Sequence, residues 1–381
     1  MCWNLFFLLG PLCACALYLT VVRPLGLAPA ARWWTGLCLA AFSLKFTWFS
    51  LAGGSKFVPE MPAWTIHVLS VAYDFVLILA AFGVAWAIAR QVAPRRREHP
   101  GTEGGNGFTR RRVIAGALAC VASGTSVKGV YDGRRLPDVV EVPLEFPDLP
   151  PEFDGYRVAQ ISDLHVSAAA RADRTAGVVR LVNACDPDLI AITGDVVDGM
   201  AERRMVDVAP LAGLRARDGV VGCTGNHEYY GSGWNRWRVI FRDLGMRVLE
   251  NERMLLRRGD ATLAILGEND PVSRDSGIHA AAALVPDGAF RILLAHRPTR
   301  LAEHAACGVR LQLSGHTHGG AVLGIDRLVA QANEGHVRGL YREHGMSLYV
   351  NSGTGQWAGF PTRLGVCPEI SLLVLRRQSR G

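Results

Sequence analysis

Charge is scarce at the start of this chain. Residues 5–22 carry no charged side chain, residues 33–51 carry one, Lys45, and residues 63–89 carry one, Asp74. Ordinary soluble domains keep about a quarter of their residues charged, so these runs are excluded from a solvated surface. At ~1.5 Å per residue, a helix of about 18–25 apolar residues crosses a bilayer. Each run reads as a membrane span. A fourth, residues 113–130, is smaller in side chain and more weakly apolar, with Lys128 near its end. The mean hydropathy of +0.16 is high for a soluble enzyme, and the excess sits in this part of the chain.

Other features are missing too. None of the 9 cysteines has the spacing of a metal site. Cys2, Cys13, Cys15, Cys38 and Cys120 lie in or beside the expected spans, and Cys185, Cys223, Cys307 and Cys367 lie beyond them. A domain of this size calls for no disulfide framework. There are no internal repeats. A cleaved secretion signal at residues 5–22 is not expected, because further spans follow it.

The connections orient the spans. Arg23 and Arg32 flank the first, Lys56 and Glu60 nearly cancel in the second, and the third holds Arg90, Arg95, Arg96, Arg97, Arg110, Arg111 and Arg112. Basic loops stay in the cytoplasm. The expectation is therefore a multi-pass protein of the cytoplasmic membrane, with its N-terminus and its C-terminal domain outside. Trp3, Trp33, Trp34, Trp48, Trp64 and Trp86 fall mostly near span ends, as interfacial belts do. Arg110-Arg111-Arg112 before a small apolar stretch also has the look of a twin-arginine export signal, but its place after three spans favours an internal anchor. Topology accounts for much of the formal charge of +7, so no nucleic-acid partner is expected. Lys45 and Asp74 either pair with each other or mark a functional site, and a simple packing pair is the preferred reading. Residues 94–107 read as a flexible polar loop, and residues 131–151, with five prolines, as an extended linker into residues 152–381.

The chemistry is concentrated in that last region. Five motifs follow one another: Asp163-Leu164-His165, Gly194-Asp195, Gly225-Asn226-His227-Glu228, His296, and Gly315-His316-Thr317-His318. Each stands at the end of a short apolar run of the kind that forms a buried strand: residues 156–161, 188–193, 219–224, 290–295 and 309–313. Singly, the motifs are common turn sequences. Together they supply two carboxylates, an amide oxygen and several imidazoles, the donor set for two adjacent divalent metals. Such a pair, ~3.5–4 Å apart, activates water at neutral pH for attack on a phosphate ester. Imidazole suits Mn, Zn, Fe, Ni or Co, and Asn adds a ligand without adding charge. Asp195, with two oxygens, is the natural bridge. Asp163 and His165, two residues apart, can aim at one metal, and His316 and His318 can serve different ones. The other histidines lack such company and read as structural or surface residues.

This ordered set resembles the calcineurin-like metallophosphoesterases. Within them it looks like the membrane-anchored bacterial branch similar to UDP-2,3-diacylglucosamine pyrophosphatases. The likeness extends to Gly339-Leu340-Tyr341, to residues 348–353, to Arg363-Leu364-Gly365 and to Pro368-Glu369-Ile370. It implies a four-layer αββα sandwich behind an N-terminal bundle of about four transmembrane helices. It further implies that Asp163, His165, Asp195 and His318 hold one metal, and that Asp195, Asn226, His296 and His316 hold the second. His227 would be the catalytic histidine at the leaving oxygen, oriented by Glu228. Ala321 stands where this branch often has Gln.

The expected function is hydrolysis of a phosphoester or pyrophosphate bond, in a lipid-linked or cell-envelope substrate that shares the membrane plane. The alternative is a membrane receptor or transporter accessory with a vestigial phosphoesterase fold; the full ligand set argues against decay. Tyr229, Tyr230, Trp234, Trp237 and Trp357 lie near the motifs and read either as core or as a surface for an acyl chain, sugar or base.

Overall fold

The structure is a computed structural model that describes residues 3–92 and 106–378. The chain divides into two compact units. One is Met1–Tyr131 with Gly359–Thr362, and the other is Asp132–Ala358 with Arg363–Gly381.

The first unit is helical. Helix α1 (Trp3–Leu17) continues through a π turn and a 3-10 turn to Leu25, where Gly26 adopts φ 59° and ends it. Then come α2 (Pro29–Ser43), α3 (Lys45–Leu51), α4 (Ala63–Val92) and α5 (Asn106–Arg134). Among the described residues, three stretches are long and apolar enough to cross a membrane: Phe7–Leu25, Ala63–Ala89 and Arg112–Arg134. The run at residues 33–51 differs from expectation, because its helix breaks at Leu44. The Ser43 hydroxyl bonds back to the Ala40 carbonyl at 2.8 Å, a contact that bends helices. The resulting pieces of 15 and 7 residues each fall short of the ~20 that a bilayer needs. The helices meet closely at Gly10, where a Cβ would stand 2.6 Å from the Tyr73 ring. Ala14, Leu17, Val22, Leu39, Val76 and Ala80 form the apolar centre. Most of residues 94–107, with Arg95, Arg96 and Arg97, lies outside the described residues, as does Cys2. Arg110 to Arg112 fall within α5 rather than in a loop.

The second unit is built on strands β1 (Asp138–Phe146), β2 (Arg157–Ile161), β3 (Leu189–Thr193), β4 (Val220–Cys223), β5 (Met246–Val248), β6 (Glu252–Arg258), β7 (Ala261–Gly267), β8 (Phe290–Leu294), β9 (Leu311–Ser314), β10 (Gly339–Glu343), β11 (Met346–Val350) and β12 (Glu369–Arg377). They make two mixed six-stranded sheets, ordered β1-β12-β2-β3-β4-β5 and β10-β11-β9-β8-β7-β6. Strands β2 to β5 are parallel in the first, and β7, β8, β9 and β11 in the second.

Alternation along the strands assigns the layers. Leu189 and Ala191 of β3 join Ile292 and Leu294 of β8 in the core between the sheets. Their neighbours Ile190 and Ile192 face helices α6 (Ala172–Ala184), α7 (Ala201–Val208) and α8 (Trp234–Asp243), where Val178, Val182, Trp237 and Phe241 cover them. On the far side, Leu293 of β8 meets Ala281 and Leu301 of helices α9 (His279–Ala283) and α10 (Leu301–Ala306). The result is the αββα sandwich. Helix α11 (Asp326–Gln331) follows β9 on the surface. Residues 138–146, expected within an extended linker, are instead a paired strand along the whole of β12. Pro143 is tolerated because β1 is an edge strand, and its buried side chains, Leu144 and Phe146, come late in the run.

Candidate metal centre

The five motifs all leave the C-terminal ends of parallel strands: β2, β3 and β4 of one sheet, and β8 and β9 of the other. Open α/β sheets place their ligand sites at such ends. Cross-sheet bonds hold the two sets together. His296 Nδ1 lies 2.7 Å from the Thr193 carbonyl, and Gln160 donates to the Ser314 carbonyl at 2.9 Å. Two glycines permit the approach. A Cβ on Gly315 would overlap Ser162 and Asp163, and one on Gly225 would overlap the Asp195 carboxylate.

All seven expected ligands converge. Asp163 Oδ2 accepts from the His316 N–H at 3.0 Å, and His165 Nε2 stands 3.1 Å from His318 Nε2. Asp195 Oδ2 is 3.2 Å from His296 Nε2 and 3.8 Å from His165 Nε2. His316 Nδ1 is 3.2 Å from His296 Nε2. Asn226 sits between Gly225, which packs on Asp195, and His227, whose N–H donates to Asp195 Oδ1 at 2.8 Å. Five of the seven adopt left-handed backbone: Asp163 (φ 52°), His165 (46°), Asp195 (51°), His316 (70°) and His318 (50°). Such strain collects at functional sites.

Electrostatics favours cations here. Burial opposes ionisation of Asp195, but His296, His227 and His165 hold it well below the usual carboxylate range. Burial and the Asp195 charge push Asp163 up. Burial disfavours charge on His296 and His227 as well, yet nearby carboxylates lift them to about 10 and about 9. Burial, with the charges of His296 and Arg297, pushes His316 well down, and burial with those of His165 and Arg363 does the same to His318. Two imidazoles, His316 and His318, are thus held neutral, while His296 and His227 carry positive charge that the carboxylates draw to the site.

The residues fit divalent metal. Among the described residues, three groups have donor atoms close enough together to share an ion: Asp163, His165 and His318; His165, Asp195 and His227; Asp195, His296 and His316. Imidazole nitrogens 3.1–3.2 Å apart converge as ligands of a common ion do. The Asn226 Oδ1 is buried without a hydrogen-bond partner among the described residues, a costly state that a cation relieves.

Several neighbours escaped the sequence reading. Asp198 is fully buried, and its Oδ1 takes the Nδ1 of His165 at 3.0 Å and of His227 at 2.5 Å. It is Asp198, not Glu228, that orients His227. Glu228 instead accepts from the backbone N–H groups of Gly225 (2.7 Å), Asp195 (3.0 Å) and Val196 (2.6 Å). It ties two ligand loops together because its carboxylate turns back under its own turn. Asp270 grips Arg297 with two bonds of 2.8 and 3.1 Å, beside His296. Arg363, buried, donates to the carbonyls of Ser352, His318, Gly353 and Gly355, and its Nη2 stands 3.3 Å from His318 Nδ1. Of the nearby aromatics, Trp234 and Trp237 belong to the core. Tyr230 and Trp357 flank His227, with ring centroids 5.3 and 6.1 Å away.

Comparison with known proteins agrees with this geometry. The calcineurin-like phosphoesterase profile matches residues 156–320. A transmembrane protein with metallophosphoesterase domain from Bos taurus is 30% identical, over 88% of this chain and 78% of its own length. That share exceeds the sandwich unit, so the likeness runs into the N-terminal helices. A protein of the same description from Danio rerio is 29% identical over 84% of this chain and 76% of its own length. The uncharacterized metallophosphoesterase YkuE of Bacillus subtilis is 28% identical, over 71% of this chain and 98% of its own. With five motif-bearing strand ends meeting in an αββα sandwich, this chain belongs to the calcineurin-like metallophosphoesterase family.

Proposed function

We propose that this protein is a membrane-held hydrolase of phosphoester or pyrophosphate bonds that works through two divalent cations. Asp163, His165, Asp195 and His318 would hold one, and Asp195, Asn226, His296 and His316 the other. The carrying observation is the position of Asp195, whose carboxylate belongs to two of the three donor groups. When bound, the cations lower the pKa of water and take up charge on phosphoryl oxygens.

The chain's own side chains supply the rest. Asp198 accepts from Nδ1 of His227, which leaves Nε2 to carry a proton to the leaving oxygen. The side chain of His227 is 13% exposed, while those of His165 and His296 are closed off. Arg297, fixed by Asp270 and 31% exposed, offers a guanidinium to phosphoryl oxygens. Tyr230 and Trp357 form the walls beside His227 and would meet the leaving group.

The substrate in this reading is lipid-linked or part of the cell envelope, as the resemblance to UDP-2,3-diacylglucosamine pyrophosphatases implies. Its support is the set of membrane-length helices on the same chain. The four-crossing topology with an exported enzyme domain also belongs to this reading. Its support is that Arg112, at the start of the last long helix, donates to the Gly26 carbonyl in the first connection at 3.3 Å, as basic regions on one side would. The broken pair α2 and α3 must then cross together.

Two experiments test this. The full chain, purified in detergent and loaded with Mn2+, should hydrolyse bis-p-nitrophenyl phosphate, while Asp195→Ala should not. A metal-loaded preparation inactive on a panel of phosphoesters and lipid pyrophosphates refutes the hydrolase reading. For topology, alkaline phosphatase fused after Gly381 should be active and a fluorescent protein there dark; the reverse pattern places the enzyme in the cytoplasm and redirects the substrate to nucleotide-linked lipids.

A further inference from the structure

The helical unit buries two charged side chains that the proposed chemistry does not use. Lys45, at the break between α2 and α3, is wholly buried, and Asp74, in α4, is 3% exposed. Buried charge in such a helix is costly and marks a function by default. Pairing the two with each other does not account for them. The Lys45 ammonium has no hydrogen-bond partner among the described residues. Instead it stands over four rings: Tyr73 at 4.8 Å, Phe46 at 4.9 Å, Phe360 at 5.3 Å and Phe49 at 5.6 Å. Asp74 Oδ2 accepts from the Thr362 hydroxyl at 2.5 Å. Phe360 and Thr362 are not residues of the spans in sequence. They belong to Gly359–Thr362, a four-residue turn that packs as part of the helical unit while the chain on either side of it builds the sandwich.

The two ends of that turn lead to the candidate metal centre. Trp357, two residues before it, has its ring centroid 6.1 Å from that of His227 and 6.5 Å from that of His165. Arg363, the next residue after it, grips the carbonyl of His318 at 3.1 Å and stands 3.3 Å from its imidazole. A shift of Thr362 moves the Cα of Arg363, since consecutive Cα atoms keep a fixed spacing of about 3.8 Å. Arg363 has little freedom to absorb it, because its guanidinium is committed to four carbonyls.

We propose that Lys45 and Asp74 lock the Gly359–Thr362 turn within the helical unit and thereby position Arg363 and the His318 imidazole. Lys45, Asp74, Phe360 and Thr362 are positioning residues in this assignment. The buried pair is kept in the helical unit because each charge has a partner on the turn: a ring for the ammonium and a hydroxyl for the carboxylate. The assignment rests on His318 being a metal ligand.

Cobalt substitution tests it on the full chain in detergent or nanodiscs. Co2+ bound by imidazole and carboxylate has a visible spectrum that follows ligand geometry, so the readout does not need turnover. Thr362→Val, which keeps shape and removes the hydroxyl, should weaken the binding of one Co2+ by about 10- to 100-fold, as loss of an outer partner of a ligand does. It should also change the spectrum and lower kcat on bis-p-nitrophenyl phosphate more than it raises KM. Thr362→Ser should restore all three. Phe360→Leu, which takes one ring from Lys45 and keeps an apolar side chain, should act like Thr362→Val and stands in for it should that variant not fold. Unchanged Co2+ affinity and spectrum in folded Thr362→Val and Phe360→Leu overturn the lock alone. A parent chain that takes up no Co2+ overturns the metal reading beneath it.

Discussion

Replacing Asp198 by Ala removes one carboxylate oxygen that two imidazoles share. The bonds lost are those to His165 Nδ1 at 3.0 Å and His227 Nδ1 at 2.5 Å. The first is buried, the second partly so, and both end on a charged acceptor, so each contributes about 1.5–3 kcal/mol. The two losses should appear in different measurements, because the two histidines are assigned different work. His165 is a proposed ligand, and losing its orienting partner should weaken metal binding by about 10- to 100-fold. His227 is the proposed proton donor, and losing its fixed tautomer should lower kcat by about 10²–10⁴-fold in protein saturated with metal. Asp198→Asn can still accept from the two rings through its amide oxygen, so it should lie between the parent and Asp198→Ala in both respects. The assay is equilibrium dialysis against buffered Mn2+, read by elemental analysis, followed by steady-state hydrolysis of bis-p-nitrophenyl phosphate at saturating Mn2+. Parental metal affinity in Asp198→Ala would refute the claim that Asp198 supports a ligand. Parental kcat at saturation would refute its hold on His227.

Further outcomes follow from the same geometry. Asp195→Ala should lose both bound metal and activity, whereas His227→Ala should keep its metal and lose about 10²–10⁴-fold in turnover; equal metal loss in the two, by elemental analysis, would erase the division of roles. Glu228→Ala leaves three buried N–H groups without their acceptor. It should destabilise the fold by at least about 3 kcal/mol, a fall in melting temperature of about 6–12 °C for a domain of this size, measured in excess EDTA so that metal binding does not contribute. Trp237 is wholly buried and stacked on Phe241, so Trp237→Ala should cost about 3–5 kcal/mol in urea unfolding. Trp237→Phe should cost much less, because the indole N–H it removes has no hydrogen-bond partner among the described residues; equal losses would contradict the packing argument.

What could be read from residues alone followed distance along the chain. Asp163, Asp195, Asn226, His296 and His316 were legible because each stands within a few residues of an apolar run that becomes a strand. Asp198 was not, since nothing about a lone Asp in a turn signals that two rings 33 and 29 residues away will share it. Glu228 was assigned to the histidine beside it in sequence, but a side chain three residues after Gly225 reaches back to that N–H more readily. Strand β1 was hidden by its proline and by its exposed first half, and its partner β12 lies at the other end of the chain. The run at residues 33–51 is apolar enough to be one span, and the break at Leu44, beside a serine hydroxyl turned back onto its own helix, leaves no mark in hydropathy. Lys45 and Asp74 stood out as charges, yet the turn that contacts them arrives some 300 residues later, at Phe360 and Thr362.

The left-handed backbone at Asp163, His165, Asp195, His316 and His318 has a consequence for how this chain varies under selection. A side chain in that conformation costs about 1–2 kcal/mol, while glycine bears no such steric strain. At these five positions the residue that suits the backbone best is not the proposed ligand. A mutant library sorted only for yield of folded protein should therefore accumulate glycine or asparagine there, and its survivors would be more stable and inert. Sorting for turnover should hold all five against that drift. Sequencing both pools would separate, position by position, what the backbone prefers from what the chemistry demands.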